Sequence, residues 1–479
     1  MFNPTLRTVL LGSGAAVLMM AASLPATAGE IDDLKAQIQA LQGKLNTIEA
    51  RQDAAEVRGP VAPAAAVEAG DKPKSWKLPG TNTSMNIGGY AKLDFMYDLG
   101  PQMGTASALA GAPAPGNVAC GASPGAGVAI PPSGTAADSC QDTFTTQAGQ
   151  SRFWIKTWTP TDWGELGTHL EGDFVAGVYR LRHAYGYLGP VLAGQTWSNY
   201  LDLDSDSETI DFGGPAGDEA GRRQPQIRYT QSLGSGLTAS VSIEDSNNVV
   251  LGNAAAAHDY LPDFAGKLQW KHSRGQVTLS GVVGEVALDS GSAGAGQFNG
   301  TTGLNASDSA VMWSAHIGGS YVITPMDTVG AYFNYGYGSD RYISAVYAGA
   351  GAHCSANFGG AFGCARAGTP ASLVNIDTDN LFGGAAWYQH KWTDTIRSNF
   401  VYGYQAMDQG VNDGAAGATS SVHSVHANII WSPVSQVNFG FEYIFGYANF
   451  NGGTVAGVNA AAAGDNTAHR FQIGMQYLF

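Results

Sequence analysis

Charged residues are scarce in this chain, at 13% of 479 residues, and cysteine is scarcer still, with four. Beyond the N-terminal segment, no stretch approaches the ~20 consecutive apolar residues that a membrane-spanning helix needs, so helical insertion is excluded for the body of the chain. Basic residues are outnumbered, 24 Lys and Arg against 39 Asp and Glu, for a formal net charge of −15. That acidity sets nucleic acid aside as a partner, because a polyanion must be met by clustered cations. Enzyme signatures are missing as well. His169, His183, His316, His423 and His426 are scattered, and no serine sits in a Gly-x-Ser-x-Gly elbow. Nor is there a separate globular segment of the kind that plugs a large transporter barrel. No cofactor and no metal site is expected.

What is abundant is glycine, with 65 residues, and aromatic side chains, at 10%. Mean hydropathy is near zero. A barrel whose lumen holds water needs only every second residue apolar, so it escapes detection by average hydropathy. The C-terminal stretch has that form. Phe471, Ile473, Met475, Tyr477 and Phe479 alternate with Gln472, Gly474 and Gln476 after Arg470. In a strand the two sets face opposite sides, one suited to lipid and one to water.

The N-terminus reads as a secretory signal over residues 1–28: Arg7, an interrupted apolar stretch from Val9 to Leu24, and Ala26-Thr27-Ala28 as the cleavage site. Residues 30–58 follow with Ile31, Leu34, Ile38, Leu41, Leu45 and Ile48 at alternating spacings of three and four, a heptad pattern that permits trimers as readily as dimers. As a helix the segment would reach roughly 40 Å. Residues 59–84, with Pro60, Pro63, Pro73 and Pro79, read as a linker. The barrel is expected over 85–479, as sixteen antiparallel strands.

Short turns are expected at Thr159–Gly164, Leu188–Pro190, Ser232–Gly236, His272–Gly275, Thr324–Asp327, Trp392–Asp394 and Ser432–Ser435. Longer Gly/Ala/Ser/Asn-rich loops lie between them, with a short exception near Val175 to Val178. Short turns on one rim and long loops on the other is the outer-membrane pattern, and an even strand number leaves both chain ends on the short-turn, periplasmic side. Trp154, Trp158, Trp163, Trp197, Trp270, Trp387, Trp392 and Trp431 fall near strand ends, as interface girdles require. Cys120 with Cys140, and Cys354 with Cys364, each lie within one loop-like segment. Each pair is a disulfide candidate in an oxidising compartment. Metal binding would want tighter spacing than His353 beside Cys354 offers.

Two constellations bear on function. Lys92, Arg152, Lys156, Arg180, Arg182, Arg222, Arg228, Lys267, Arg397 and Arg470 share the polar phase of their strands, opposite residues such as Leu93, Phe153, Leu181, Tyr185 and Ile227. On a lipid face such charges would cost ~2–4 kcal/mol each near the midplane, so they are expected to line the lumen. Rings of Arg and Lys favour anions, whereas cations paired with Glu171 and Asp173 would be no more than solvated wall. The second constellation is the loop Ser198–Gly221, after the fifth strand, where a porin folds a constriction loop inward. It carries Asp202, Asp204, Asp206, Glu208 and Asp211. Facing an arginine wall, these carboxylates would set a transverse field. The Asp-x-Asp-x-Asp-x-Glu spacing also leaves a calcium loop as a weaker alternative, which departs from that motif at Ser207 in the sixth position and Gly213 in the twelfth.

Gly88-Gly89-Tyr90-Ala91-Lys92-Leu93-Asp94, Arg152-Phe153-Trp154-Ile155-Lys156, Ala193-Gly194-Gln195-Thr196-Trp197-Ser198, Asp211-Phe212-Gly213-Gly214-Pro215-Ala216-Gly217 and Arg223-Gln224-Pro225-Gln226-Ile227-Arg228-Tyr229 together resemble DcaP-like porins, most densely from Asn86 to Tyr229. The resemblance implies a sixteen-stranded homotrimer in the outer membrane with a periplasmic coiled coil, and a preference for small anionic solutes such as dicarboxylates. Its basic lumen residues fall on Arg152, Lys156, Arg180, Arg182 and Arg228. The first, fifth and sixth long loops are longer than in that family, and the cysteines lie among them. The expectation is therefore a diffusion channel in outer-membrane lipid. The alternative is a structural tether with an occluded barrel.

Overall fold

The computed structural model describes residues 35–48, 67–99, 103, 142–175, 177–218, 222–246, 257–258, 260–289, 307–343, 352–355, 375–378, 380–408, 419–450 and 464–479. Alternating apolar and polar side chains can satisfy lipid and water together only in strands, and lipid tolerates strands only when every backbone group is paired. The chain meets that demand with sixteen long strands: β1 (Ser84–Leu99), β2 (Arg152–Thr161), β3 (Gly164–Asp173), β4 (Arg180–Leu188), β5 (Val191–Trp197), β6 (Arg223–Gly234), β7 (Leu237–Glu244), β8 (Asp263–His272), β9 (Gly275–Asp289), β10 (Ser307–Thr324), β11 (Asp327–Tyr337), β12 (Asn380–Lys391), β13 (Ile396–Asp408), β14 (Thr419–Val434), β15 (Val437–Phe450) and β16 (Gly464–Leu478). Three short strands, Trp76–Lys77, Thr143–Gln147 and Ala257–His258, complete the nineteen of the main sheet.

Each strand pairs antiparallel with the next. β16 pairs with β1 from Tyr90↔Leu478 to Leu99↔His469, which closes the sheet and leaves it without an edge. Phe479 completes the seam through backbone bonds with Gly89, at 3.1 Å for its own N–H and 3.3 Å for its carbonyl. The expected short turns join β2–β3, β4–β5, β6–β7, β8–β9, β10–β11, β12–β13 and β14–β15, and both barrel termini lie on that rim. Phe471 and Ile473 stay exposed on the outer face while Arg470 and Gln472 are buried within.

One expectation of facing changes. Strict alternation puts Tyr185 outward with Leu181, but a bulge in the β3–β4 ladder, opposite Glu171 and Gly172, shifts the phase. Arg182 and His183 both turn inward, and the Tyr185 hydroxyl meets His169 Nδ1 at 3.3 Å. The extra residue of a bulge inverts facing beyond it.

Of the residues expected as a linker, 67–84 are described, and several of them contact the barrel. Trp76 and Lys77 pair with Met85 and Ser84, and Lys72 Nζ reaches Glu165 at 2.8 Å on β3. Lys77 beside Asp71 holds that carboxyl below the usual range. The compact barrel unit accordingly begins at Ala69. In the N-terminal unit, residues 35–48 are helical and expose Ile38, Leu41, Leu45 and Ile48. The signal segment 1–28 lies outside the described residues.

Ile473→Lys places a charge on the outer face of β16. It should destabilise the barrel by ~2–4 kcal/mol if that position lies near the bilayer midplane. Urea titration of the protein folded into phospholipid vesicles reads the cost, and an unchanged midpoint would contradict the outward facing.

Candidate functional site

After β5 the chain leaves the wall, and Ser198–Asp218 runs along the inside of the barrel. Glu244 on β7 accepts from the Asn199 backbone N–H at 2.8 Å. The Tyr200 hydroxyl reaches Ser314 at 2.7 Å on β10 and Asn334 at 2.8 Å on β11. Lys267 on β8 bonds the Leu201 carbonyl. Further along, Asp202 Oδ2 lies 3.3 Å from Gln276 Nε2 and 3.6 Å from His316 Nε2. Asp204 pairs with Lys271 at 2.6 Å. Trp387 Nε1 on β12 donates to the Ser205 carbonyl at 2.7 Å. Arg397 on β13 grips Glu208 through two bonds of 2.6 and 2.5 Å.

The far end of the loop rests on β15, β16 and β1. Glu442, fully buried, accepts from the backbone N–H groups of Ile210 at 2.8 Å and Asp211 at 3.0 Å. It also accepts from Asn428 Nδ2 at 2.9 Å and faces His426 Nδ1 at 3.3 Å. Lys92 Nζ donates to the Ile210 carbonyl at 2.9 Å and lies 3.3 Å from Asp94. The returning limb then crosses β12 and β13. A Cβ on Gly217, whose φ is +79°, would strike the backbone of Tyr404 and Gly384, so the close approach depends on glycine there.

A second cluster, on the wall of β2–β4, holds three arginines. Arg152 bonds Glu171 at 3.1 Å. Arg182 bonds Glu171 at 3.0 Å and Asp173 at 2.7 Å, and Arg180 meets Asp173 through bonds of 2.9 and 2.8 Å. Three cations thus share two carboxylates. The loop side chain against them is Phe212, whose ring centroid lies 5.6 Å from the Arg152 guanidinium and 5.4 Å from that of Arg182. Asp202, Asp204 and Glu208 are directed elsewhere, each to a different stretch of wall. Among the described residues, no three His, Cys, Asp or Glu side chains converge to hold a metal ion.

The remaining basic residues are dispersed. Lys156 Nζ lies 5.2 Å from the Trp154 ring centroid, and Arg228 bonds Gln226 at 2.9 Å and the Trp197 carbonyl. Arg222, just before β6, donates to the Arg341 carbonyl at 3.0 Å. Neither Lys156, Arg222 nor Arg228 has a carboxylate within ion-pair distance among the described residues. Arg470 is fully buried in a two-bond pair with Asp98 at 2.6 and 2.9 Å, so it is cross-linked wall rather than a group facing water. Asp206 and Asp211 join Lys92, Phe212, Arg397 and Gln476 around a cavity of about 320 Å³ beside the loop. Cys120, Cys140 and Cys364 lie outside the described residues, as does the side chain of Cys354.

Glu442, Phe212, Tyr200 and Arg223 were not singled out from the sequence. Glu442 carries a signal in retrospect, as the one carboxylate in the polar phase of β15. Arg223 carries none, because alternation assigns it to the outer phase, yet its guanidinium lies over Trp197 at 4.3 Å.

A closed sixteen-stranded barrel with an apolar exterior, a polar interior and a loop folded inside it is an outer-membrane porin. The chain belongs to the DcaP outer membrane protein family, whose model matches residues 128–454. Its fold is similar to that of the outer membrane channel DcaP of Acinetobacter baumannii, at 19% identity and a TM-score of 0.64, over 86% of this chain and 100% of that one. It is also similar to OmpT of Vibrio cholerae, at 12% identity and a TM-score of 0.50, over 84% and 99% of the two chains. No curated protein sequence matches the chain.

Glu442→Ala leaves the buried N–H groups of Ile210 and Asp211 without their acceptor, at about 1–3 kcal/mol for each orphaned group. The expected result is a lower urea midpoint together with noisier open-channel current. A quiet channel of unchanged stability would show that the loop does not depend on Glu442.

Proposed function

We propose that this porin is a passive diffusion channel for small hydrophilic solutes, biased towards anions such as dicarboxylates, and that it works as a homotrimer. The observation that carries the reading is the charge imbalance on the inner wall of β2–β6. Among the described residues, Arg152, Arg180 and Arg182 pair with two carboxylates, Glu171 and Asp173. Lys156 and Arg228 add charge with no carboxylate within ion-pair distance among the described residues. Fixed guanidinium groups can replace part of an anion's hydration shell at several successive points. Passage needs such sites to be favourable enough to enter and weak enough to leave. Ion pairing with Glu171 and Asp173 moderates each site in that sense. Two of the loop's carboxylates, Glu208 and Asp204, are held against Arg397 and Lys271, away from the arginine sector.

The trimer reading is supported by the heptad residues Ile38, Leu41, Leu45 and Ile48, all exposed on the helix at 35–48 in a single chain. Two or more helices are needed to bury such a seam.

Reversal potential across a KCl gradient in a planar bilayer tests the selectivity directly. Chloride preference is expected, and cation preference would overturn the anion reading. Arg180→Ala with Arg182→Ala should weaken chloride preference while leaving a folded barrel, as judged by heat-modifiable gel mobility. Deleting residues 31–58 should lower the trimer fraction yet leave conductance. Trimers that persist after the deletion would move the assembly contact to the barrel.

A further inference from the structure

We infer that Arg223 and Trp197 form a docking site for the oxyanion group of a passing solute, a carboxylate or a phosphate. The inference rests on the channel reading above and deepens it, by naming the atoms that an anion meets. Trp197 closes β5 and Arg223 opens β6, and the two are paired across the ladder. The Arg223 guanidinium lies 4.3 Å from the Trp197 ring centroid, and both residues are half-buried. A ring attracts a cation without neutralising it, so the guanidinium keeps its charge and its fork of donors.

Among the described residues, that guanidinium has no hydrogen-bond acceptor and no ion-pair partner. The reason is that the nearby carboxylates are already taken. The charges that act most strongly on Arg223 are, in order, Arg182, Arg180, Asp173 and Arg152. Asp173 Oδ2 accepts from Arg180 at 2.8 Å and from Arg182 at 2.7 Å, while Oδ1 accepts from Arg180 Nε at 2.9 Å and the Val175 N–H at 3.4 Å. A carboxylate offers about four lone-pair directions, so none is left for Arg223. Glu171 Oε1 accepts from Arg152 at 3.1 Å and Arg182 at 3.0 Å, and its Oε2 lies 3.3 Å from His169 Nε2. Of four guanidinium groups around these two carboxylates, Arg223 is the one left over.

The platform is fixed before anything binds. The Arg182 guanidinium lies 5.6 Å from the Trp197 ring centroid, and the His183 ring stands edge-on to it at 5.5 Å. His183 Nδ1 lies 3.0 Å from the Thr196 hydroxyl, and Arg182, His183 and Thr196 are all buried. From β6, Gln226 Nε2 donates to the Trp197 carbonyl at 2.9 Å, and Arg228 donates to the same oxygen. A site ordered in advance spares a ligand the cost of ordering it.

The fork of Arg223 suits an anion with two oxygens set to accept parallel N–H bonds, which a carboxylate and a phosphate share and chloride lacks. Such an anion also offsets the mutual repulsion of Arg223, Arg182 and Arg180. Arg223 is thus a specificity-determining residue. It separates oxyanions from halide, where the rest of the basic wall only separates anions from cations.

The full-length protein in a planar bilayer, carrying chloride current at fixed KCl, tests the site with succinate and inorganic phosphate added separately. Saturable block by at least one of them is expected, and the one that acts identifies the docked group as carboxylate or phosphate. Arg223→Gln and Arg223→Lys should each raise the half-blocking concentration roughly tenfold, the worth of about one charge-assisted hydrogen bond. Heat-modifiable gel mobility shows that each variant is folded, and Arg223→Lys carries the test if Arg223→Gln is not. The lysine keeps the charge and loses the fork, so block of wild-type strength in Arg223→Lys would overturn the site. No block by either probe in a wild-type channel that prefers chloride would overturn it too, with the channel reading intact. A wild-type barrel that inserts without conducting would remove that reading and the site with it.

Discussion

Every feature of this protein depends on the pairing of backbone N–H and C=O groups where lipid offers them no partner. A spanning chain without apolar helices can meet that condition only by closing a sheet on itself. Closure places the C-terminal strand beside β1 and brings Phe479 onto Gly89. Once the sheet is closed, side-chain facing follows from the pleat, and the whole polar inventory is delivered to one enclosed volume. The inner loop and the arginine sector are consequences of how that volume is filled.

Filling it with charge is expensive unless the charges are paired, since removing one partner of a buried pair costs several kcal/mol. The interior obeys this rule almost everywhere. Arg470 with Asp98, Arg397 with Glu208, and Glu442 with two backbone N–H groups are all satisfied locally. The two ion pairs among these, Arg470 with Asp98 and Arg397 with Glu208, are each neutral as a unit. The β2–β6 wall departs from the rule, with more guanidinium and ammonium groups than carboxylates. Aromatic rings, Phe212, Trp197 and Trp154 among them, lie against these cations, which adds attraction without neutralising charge. A departure from local balance, supported by its surroundings, is where function is best sought.

Much of the architecture was legible in the residues. Alternation along Arg470–Phe479, the turn residues and the placement of short and long connections determined a sixteen-stranded barrel with both termini on one rim. The same alternation gave the inward phase of Arg152, Arg182 and Arg228. It failed at Tyr185, because a bulge is a single inserted residue with no compositional mark, and at Arg223, which lies at a strand end where the pleat no longer governs direction. The acidic loop was legible as a loop, but not the partners of its carboxylates, which come from strands more than a hundred residues further on in the case of His316 and Arg397.

The sequence by itself determined the solvent requirement of each residue: which side chains need lipid, which need water, and where the chain can turn. Those are local properties, repeating with the period of a strand, and they suffice for the barrel and its location in the outer membrane. Only the tertiary structure decided which cations meet a carboxylate and which stretch of wall holds each part of the inner loop. Those outcomes depend on distances between residues far apart in the chain. Closure brings Asp98 to Arg470, and Tyr342 to Tyr200 and Asp263, and no pattern along the sequence encodes those separations.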